Sequence, residues 1–198
     1  MEQEVSALSA NSAAQDAAIS AAGADKAAKE QAYDATSAEA EKAYQEMLAA
    51  SNNAGSSGSS KGDGSVYEGG TLMWPVQGFY NISCHFGSPD PAGRAHLGMD
   101  ISGGGANITG AQIVAAGKGT VVIASTHSSY GNYIVIDHGD GFKTLYAHCQ
   151  SLLVGAGTPV EAGSPIATVG STGFVTGPHL HVEVHNPGRQ NPLSYLKG

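Results

Sequence analysis

The chain has 198 residues, of which 41% are hydrophobic and 28 are glycine, and its formal net charge is −8. That length holds one ordinary domain and an added segment, and the acidic balance excludes a nucleic-acid partner because no basic stripe is available. No apolar run approaches transmembrane length, so no membrane span is expected.

Residues 1 to 50 are dominated by Ala with Glu, Gln, Lys and Ser and contain no Pro, a helix-forming composition. Large apolar residues are few there: Val5, Leu8, Ile19, Tyr33, Tyr44, Met47 and Leu48. The stretch therefore buries little by itself and reads as a solvated helical or weak coiled-coil arm, with Glu39, Glu41, Lys42 and Glu46 as a wet face. Residues 51 to 70, rich in Gly and Ser, read as a flexible linker. A folded domain over residues 71 to 198 opens at Leu72-Met73-Trp74-Pro75-Val76. Short β-branched runs then follow at Gly119 to Ser125, Tyr133 to Asp137, Lys143 to His148, Pro165 to Val169 and Leu180 to His185. Gly-containing turns separate them, which predicts a compact, mainly β domain.

Two strings carry metal-ligand spacing: His96-Leu97-Gly98-Met99-Asp100 and His179-Leu180-His181. If Pro178 to Val184 is a strand, His179 and His181 project to one side, roughly 6.5 to 7 Å apart, while Leu180, Val182 and Val184 line the other. One of the two histidines can ligate while its neighbour stays free for proton work. In a flat strand His96 and Asp100 would lie roughly 13 Å apart, so this segment must turn, and Gly98 permits it. Two His and one Asp leave a fourth position for water, the open arrangement of catalytic zinc, where a bound water turns into hydroxide near neutral pH. His148, at the end of a β-patterned run, is the candidate for a second imidazole that does not ligate.

The strings HLGMD, YGNYIVIDHGDGFKTLYAH and GSTGFVTGPHLHVEV, in that order, resemble the lysostaphin-type (LytM-type) zinc endopeptidases that cut peptidoglycan peptides. The likeness runs over roughly residues 74 to 196, and no expected motif position is substituted. It implies an antiparallel β-sheet sandwich with zinc in a groove over one face. It also implies His96, Asp100 and His181 as the zinc ligands, and His148 and His179 as general base or stabilisers of the oxyanion. The implied function is that of a bacterial cell-wall zinc metalloendopeptidase, one Zn2+ per domain, hydrolysing amide bonds in stem or cross-bridge peptides with a zinc-activated water. Such an enzyme works outside the cytoplasm, in the cell wall or secreted. Met1-Glu2-Gln3-Glu4 has no basic start or apolar core, so the expectation is a chain whose leader has been removed.

Around this centre the sequence offers further candidates. Tyr146, two before His148, would share its side of a strand, as a substrate contact or as packing under the metal. Arg94, two before His96, could meet a substrate carboxylate or form a surface ion pair. Glu183, two after His181, could orient a ligand imidazole or be a solvated strand residue. Gly103-Gly104-Gly105, Ser128 to Asn132 and Gly170 to Gly173 are candidate groove walls or ordinary turns. His85, His127, His138 and His185 are read as structural or surface residues, His138 in a turn. Cys84 and Cys149 are the only cysteines, and in an exported protein an even pair predicts a bridge. Cys149 should point away from the metal, and a thiolate ligand is not needed because the His, His, Asp set is complete.

Two other functions compete. A non-catalytic peptidoglycan-binding or hydrolase-activating domain of the same fold would be expected to lose ligands. A sugar phosphotransferase phosphocarrier, whose fold is similar and which uses two histidines, has no need for Asp100. The N-terminal arm could bind a partner, self-associate or cover the groove.

Overall fold

The computed structural model describes residues 71–89 and 94–197, together with Ala38, Lys42, Gln45, Glu46 and Ala49. The chain divides into two units, Met1–Ala38 and Glu39–Gly198. The five described residues of the arm are helical, and Lys42 Nζ lies 3.9 Å from Glu46 Oε1 one turn on. The rest of the arm, the coiled-coil expectation and the linker at 51–70 lie outside the described residues.

The domain is built of short strands. In chain order they are β1 (Leu72–Met73), β2 (Asn81–Cys84), β3 (Met99–Ser102), β4 (Gln112–Val114), β5 (Gly119–His127), β6 (Gly131–Gly139), β7 (Phe142–Leu152), β8 (Pro159–Val160), β9 (Pro165–Val169), β10 (Leu180–His185), β11 (Arg189–Gln190) and β12 (Leu196–Lys197). The five runs expected from the sequence all form, three of them longer than expected. The long central strands carry Val121-Val122-Ile123 and Ile134-Val135-Ile136, β-branched side chains that suit a pleated sheet. Between β6 and β7, Asp140 and Gly141 take φ values of 50° and 79°, the two left-handed residues that a tight hairpin with the sheet's twist requires.

The main sheet runs β2-β3-β10-β7-β6-β5-β8, with β11 beside β10. The long β7 also pairs with β9 through Cys149–Leu152, and β9 carries β4. This second layer closes over one face of the main sheet, giving the antiparallel sandwich. Leu180, Val182, Val184, Ile134, Ile136 and Tyr146 face it and pack with Leu72, Ile113, Ile166, Val169 and Leu196 in one buried cluster. Each large aliphatic residue fully buried there contributes about 1.5–3 kcal/mol. The opposite face carries a smaller cluster of Tyr130, Tyr133, Val135, Leu145 and Ala147. That face also receives His181 and Glu183, the alternates of the core-facing leucine and valines on β10.

Two local features position the histidines. On β7, Cys149 pairs with Asn132 and Tyr146 with Ile134, so Ala147 and His148 together oppose Tyr133 alone. This is a β-bulge, and His148 sits in it at φ 63°, a conformation rare outside glycine and concentrated at functional positions. The bulge breaks the alternation that would have put Tyr146 and His148 on one side. Gly98 is not in the left-handed region. A Cβ there would sit 2.5 Å from the Val182 carbonyl oxygen and 2.8 Å from the His181 ring, so glycine is needed for close approach and not for a turn of special φ. Gly98→Ala should therefore lower the unfolding free energy by about 1–3 kcal/mol, read from the urea midpoint at constant m.

His138 is buried and doubly hydrogen-bonded, where a turn role was expected. Its Nδ1 donates to the Lys118 carbonyl at 2.7 Å, and its Nε2 lies 2.8 Å from the Thr144 hydroxyl, which continues to Tyr146 Oη at 2.9 Å. Burial depresses the His138 pKa below its ordinary 6.5, outweighing the Lys118 hydrogen bond. The unfolded chain then binds more protons, so the stability from this group is complete above about pH 6.5 and is lost progressively as pH falls from there towards the lower pKa of the folded state. Melting temperatures measured from pH 7.5 to 5 should fall more steeply for the wild type than for His138→Gln. Equal slopes would show that His138 does not drive the acid loss.

Candidate active site

The site lies where β3, β10 and the bulge of β7 run side by side. Asp100 on β3 pairs with His181 on β10, and His181 pairs in turn with Ala147 on β7. His179, just before β10, is fixed by a bridge to Gly170. His96 precedes β3, its segment held by the His96 N–H donating to the Ser88 carbonyl at 2.9 Å. A bend at Leu97-Gly98 brings the His96 side chain back over Asp100, as the spacing demanded.

Three donor atoms converge. His96 Nε2 is 3.1 Å from His181 Nδ1 and 3.2 Å from Asp100 Oδ1, while His181 Nδ1 is 2.9 Å from Asp100 Oδ1. Tetrahedral ligands about 2.05 Å from zinc stand about 3.3 Å apart, so this triangle is close to the size such an ion needs. The electrostatics point the same way. Burial raises the Asp100 pKa, but hydrogen bonds from His181 and His96 outweigh it and hold the carboxyl well below the usual range. Burial lowers the His181 pKa, but Asp100 and Glu183 outweigh it and lift the imidazole to about 9. A positive charge is strongly favoured between these groups, and a metal cation satisfies that demand in place of a proton.

Each of the four imidazoles has one nitrogen held by an oxygen outside the centre. His96 Nδ1 faces the His85 carbonyl at 3.3 Å, His148 Nδ1 the Thr172 carbonyl at 2.9 Å and His179 Nδ1 the Gly177 carbonyl at 2.8 Å. His181 Nε2 faces Glu183 at 3.1 Å. Carbonyls and ionised carboxylates only accept, so these nitrogens carry a hydrogen, which leaves the opposite nitrogen of each ring as the one turned to the centre. The His148 and His179 rings are 4.8 Å apart, and His148 and His181 are 5.8 Å apart. Burial first, then the neighbouring His181 and His179, push the His148 pKa down to about 3, so this ring is neutral at neutral pH.

Two of the three glycine loops frame the bulge. Phe174 N–H donates to the Ser129 carbonyl at 2.9 Å and His148 N–H to the Tyr130 carbonyl at 2.8 Å, while Asn132 N–H donates to Thr172 Oγ1 at 2.9 Å. A Cβ on Gly131 would strike Thr172, and one on Gly173 would strike Gly131 and Ser129. The third loop, Gly103 to Gly105, is a turn closed by Ala106 N–H to the Gly103 carbonyl, with Gly104 against Asn81.

Several sequence expectations need correction. Tyr146 is not a substrate contact: it is 0% exposed, lies in the core opposite the histidines, and its hydroxyl accepts from Ala116 N–H at 2.9 Å. Cys84 and Cys149 are both free thiols. They stand on β2 and β7, separated by β3 and β10, three strand spacings or about 14 Å, well beyond the Cα separation a disulfide tolerates. Cys149 does point away from the histidines, into the core. Cys84 instead pairs with Asp100, and its sulfur joins ligand atoms of His96 and Asp100 in a group spanning no more than 4.8 Å. On sequence alone a thiolate ligand is set aside as unnecessary; the register between β2 and β3 is what brings the Cys84 sulfur beside His96 and Asp100. Burial and the Asp100 carboxylate raise its pKa, keeping it a thiol. Glu183 is fully buried, not solvated, and Tyr130, which donates to it at 2.7 Å, was not foreseen beyond membership of a glycine loop. Arg94 is half-buried, next to the bridge between Pro89 and Ala95. Among the described residues, no helix is long and apolar enough to cross a membrane.

Comparison with known proteins agrees with this geometry. Peptidoglycan DD-endopeptidase ShyB of Vibrio cholerae is 43% identical over 102 residues, 52% of this chain and 22% of ShyB. Murein hydrolase activator NlpD of Escherichia coli is 38% identical over 128 residues, 64% of this chain and 31% of NlpD. Among solved structures, a zinc containing peptidase from Vibrio cholerae superposes with a TM-score of 0.56 at 34% identity, covering 62% of this chain and 39% of that one. The chain thus spans less than a third of the length of these two curated relatives. The model of peptidase family M23 matches residues 94–192, over the strands and loops that assemble the four histidines and Asp100, and the chain belongs to this family of LytM-type peptidases.

Proposed function

We propose that the chain is a zinc metalloendopeptidase that hydrolyses amide bonds in peptidoglycan stem or cross-bridge peptides outside the cytoplasm. The observation that carries this reading is the triangle of His96 Nε2, Asp100 Oδ1 and His181 Nδ1, with edges of 2.9–3.2 Å, flanked by two further imidazoles. These three atoms would hold the ion, a His, His, Asp set with room for one more ligand. When bound, zinc supplies Lewis acidity, polarising the scissile carbonyl and bringing a water towards ionisation at neutral pH.

The chain's own groups handle the proton. His148, with its Nδ1 hydrogen spent on Thr172, presents Nε2 as the acceptor, the placement a general base for the attacking water needs. Once protonated, that same nitrogen donates to the oxyanion or to the leaving amine. His179, with Nδ1 spent on Gly177 and Nε2 3.8 Å from Asp100 Oδ1, stands on the adjacent side for the same work. Arg94 is a candidate partner for a substrate carboxylate.

A second reading, a hydrolase-activating domain without catalysis, is favoured by the 38% identity to NlpD, a murein hydrolase activator by name. Retention of all five centre residues supports catalysis over it. The deciding experiment is digestion of purified peptidoglycan of several cross-link chemistries by zinc-loaded protein, with products identified by mass spectrometry. Zinc-dependent release of peptide-bond products, absent for His181→Ala, is the expected result. Bound zinc without cleavage of any substrate would shift the assignment to the activating domain. His148→Ala should keep one zinc per chain by metal analysis while cleavage falls about 10²–10⁴-fold. Loss of zinc in that variant would instead make His148 a ligand.

A further inference from the structure

Glu183 is a fully buried carboxylate that sits directly behind a proposed metal ligand. Its Oε1 accepts from Tyr130 Oη at 2.7 Å and faces His181 Nε2 at 3.1 Å. Its Oε2 accepts from Arg189 Nε at 2.9 Å and lies 2.9 Å from His185 Nε2. A buried ion pair is a weak source of stability, because desolvation consumes most of its attraction and an apolar residue of like volume serves a core as well. Stability alone therefore gives little reason for a carboxylate on this sheet face.

Resting on the metal-site reading above, we infer that Glu183, held by Tyr130 and Arg189, is the positioning residue for His181. By taking the Nε2 hydrogen it fixes the tautomer and the plane of the ring, so that Nδ1 is the atom delivered to the ion, and it increases the basicity of that ligand. Tyr130 extends the device to the proton-handling side. Its hydroxyl braces Glu183, while its backbone carbonyl accepts the N–H of His148 at 2.8 Å. One residue thus sets the spacing between a ligand and the proposed base. Arg189, paired with His185 across the β10–β11 hairpin, supplies the charge that lets the carboxylate stay ionised in a dry site.

The test uses the full chain with Glu183→Gln and Tyr130→Phe, and it reads zinc affinity by chelator competition and the visible spectrum after cobalt(II) is bound in place of zinc. Glu183→Gln keeps the volume and an acceptor but loses the charge. Its zinc Kd should rise about 10–100-fold with displaced cobalt bands. Tyr130→Phe should raise Kd less and, on peptidoglycan peptides, lower kcat while KM holds. A purely structural pair would lower the melting temperature and leave Kd and the cobalt bands unchanged, and that result overturns the inference. If Glu183→Gln does not fold, Tyr130→Phe decides alone by the same readouts. Absence of zinc and cobalt binding in the wild type would overturn the metal site itself, and this inference with it.

Discussion

Everything in the centre depends on the antiparallel register of three strands. Asp100, His181 and Ala147 lie in one row across β3, β10 and β7, and a slip of β10 by one residue would turn His181 and Glu183 into the core and away from Asp100. The register is protected by what lies on the other face. Leu180, Val182 and Val184 are fully buried, and exchanging them with His181 and Glu183 would bury polar groups without partners in the core and leave Asp100, Tyr130 and Arg189 facing aliphatic side chains. The apolar alternation of β10 thereby orients the chemistry, and the same residues serve stability and function at once.

The bulge of β7 is the second constraint. A regular strand would send alternate side chains to alternate faces, and His148 reaches the histidines only because two residues of β7 oppose one of β6. The left-handed backbone at His148 is costly for a non-glycine residue, of order 1–3 kcal/mol. It is offset by local hydrogen bonds to the Tyr130 and Thr172 carbonyls, which are present because Gly131 and Gly173 let the two loops interlock. Glycines far apart in sequence and a strained histidine thus form one local solution.

The sequence made the strands and the convergence of His96, Asp100 and the His179-Leu180-His181 string legible for a physical reason: both are written in short-range spacing. His179-Leu180-His181 with its valines shows strand period and polarity together, and the bend between His96 and Asp100 follows from the reach of an extended chain. Spacing left open which of His179 and His181 ligates, and the resemblance to LytM-type enzymes implied His181. What stayed hidden depends on pairing between distant segments. Tyr146 was placed beside His148 by simple alternation, which the bulge overrides. Cys84 and Cys149 looked like a pair by count and compartment, whereas strand order sets them on strands that never meet. The value of Glu183 could not be read from β10 alone, since Tyr130 approaches it from 53 positions away.

The parallel pairing of β1 with β12 sets Leu72 beside Leu196 and Met73 beside Lys197. The chain therefore enters and leaves this domain at one point on its rim, with both strands anchored by core leucines. A unit closed in this way places little demand on the surrounding polypeptide: it can be spliced into larger proteins as a cassette, because a host has only to present two adjacent ends and need not thread around the main sheet.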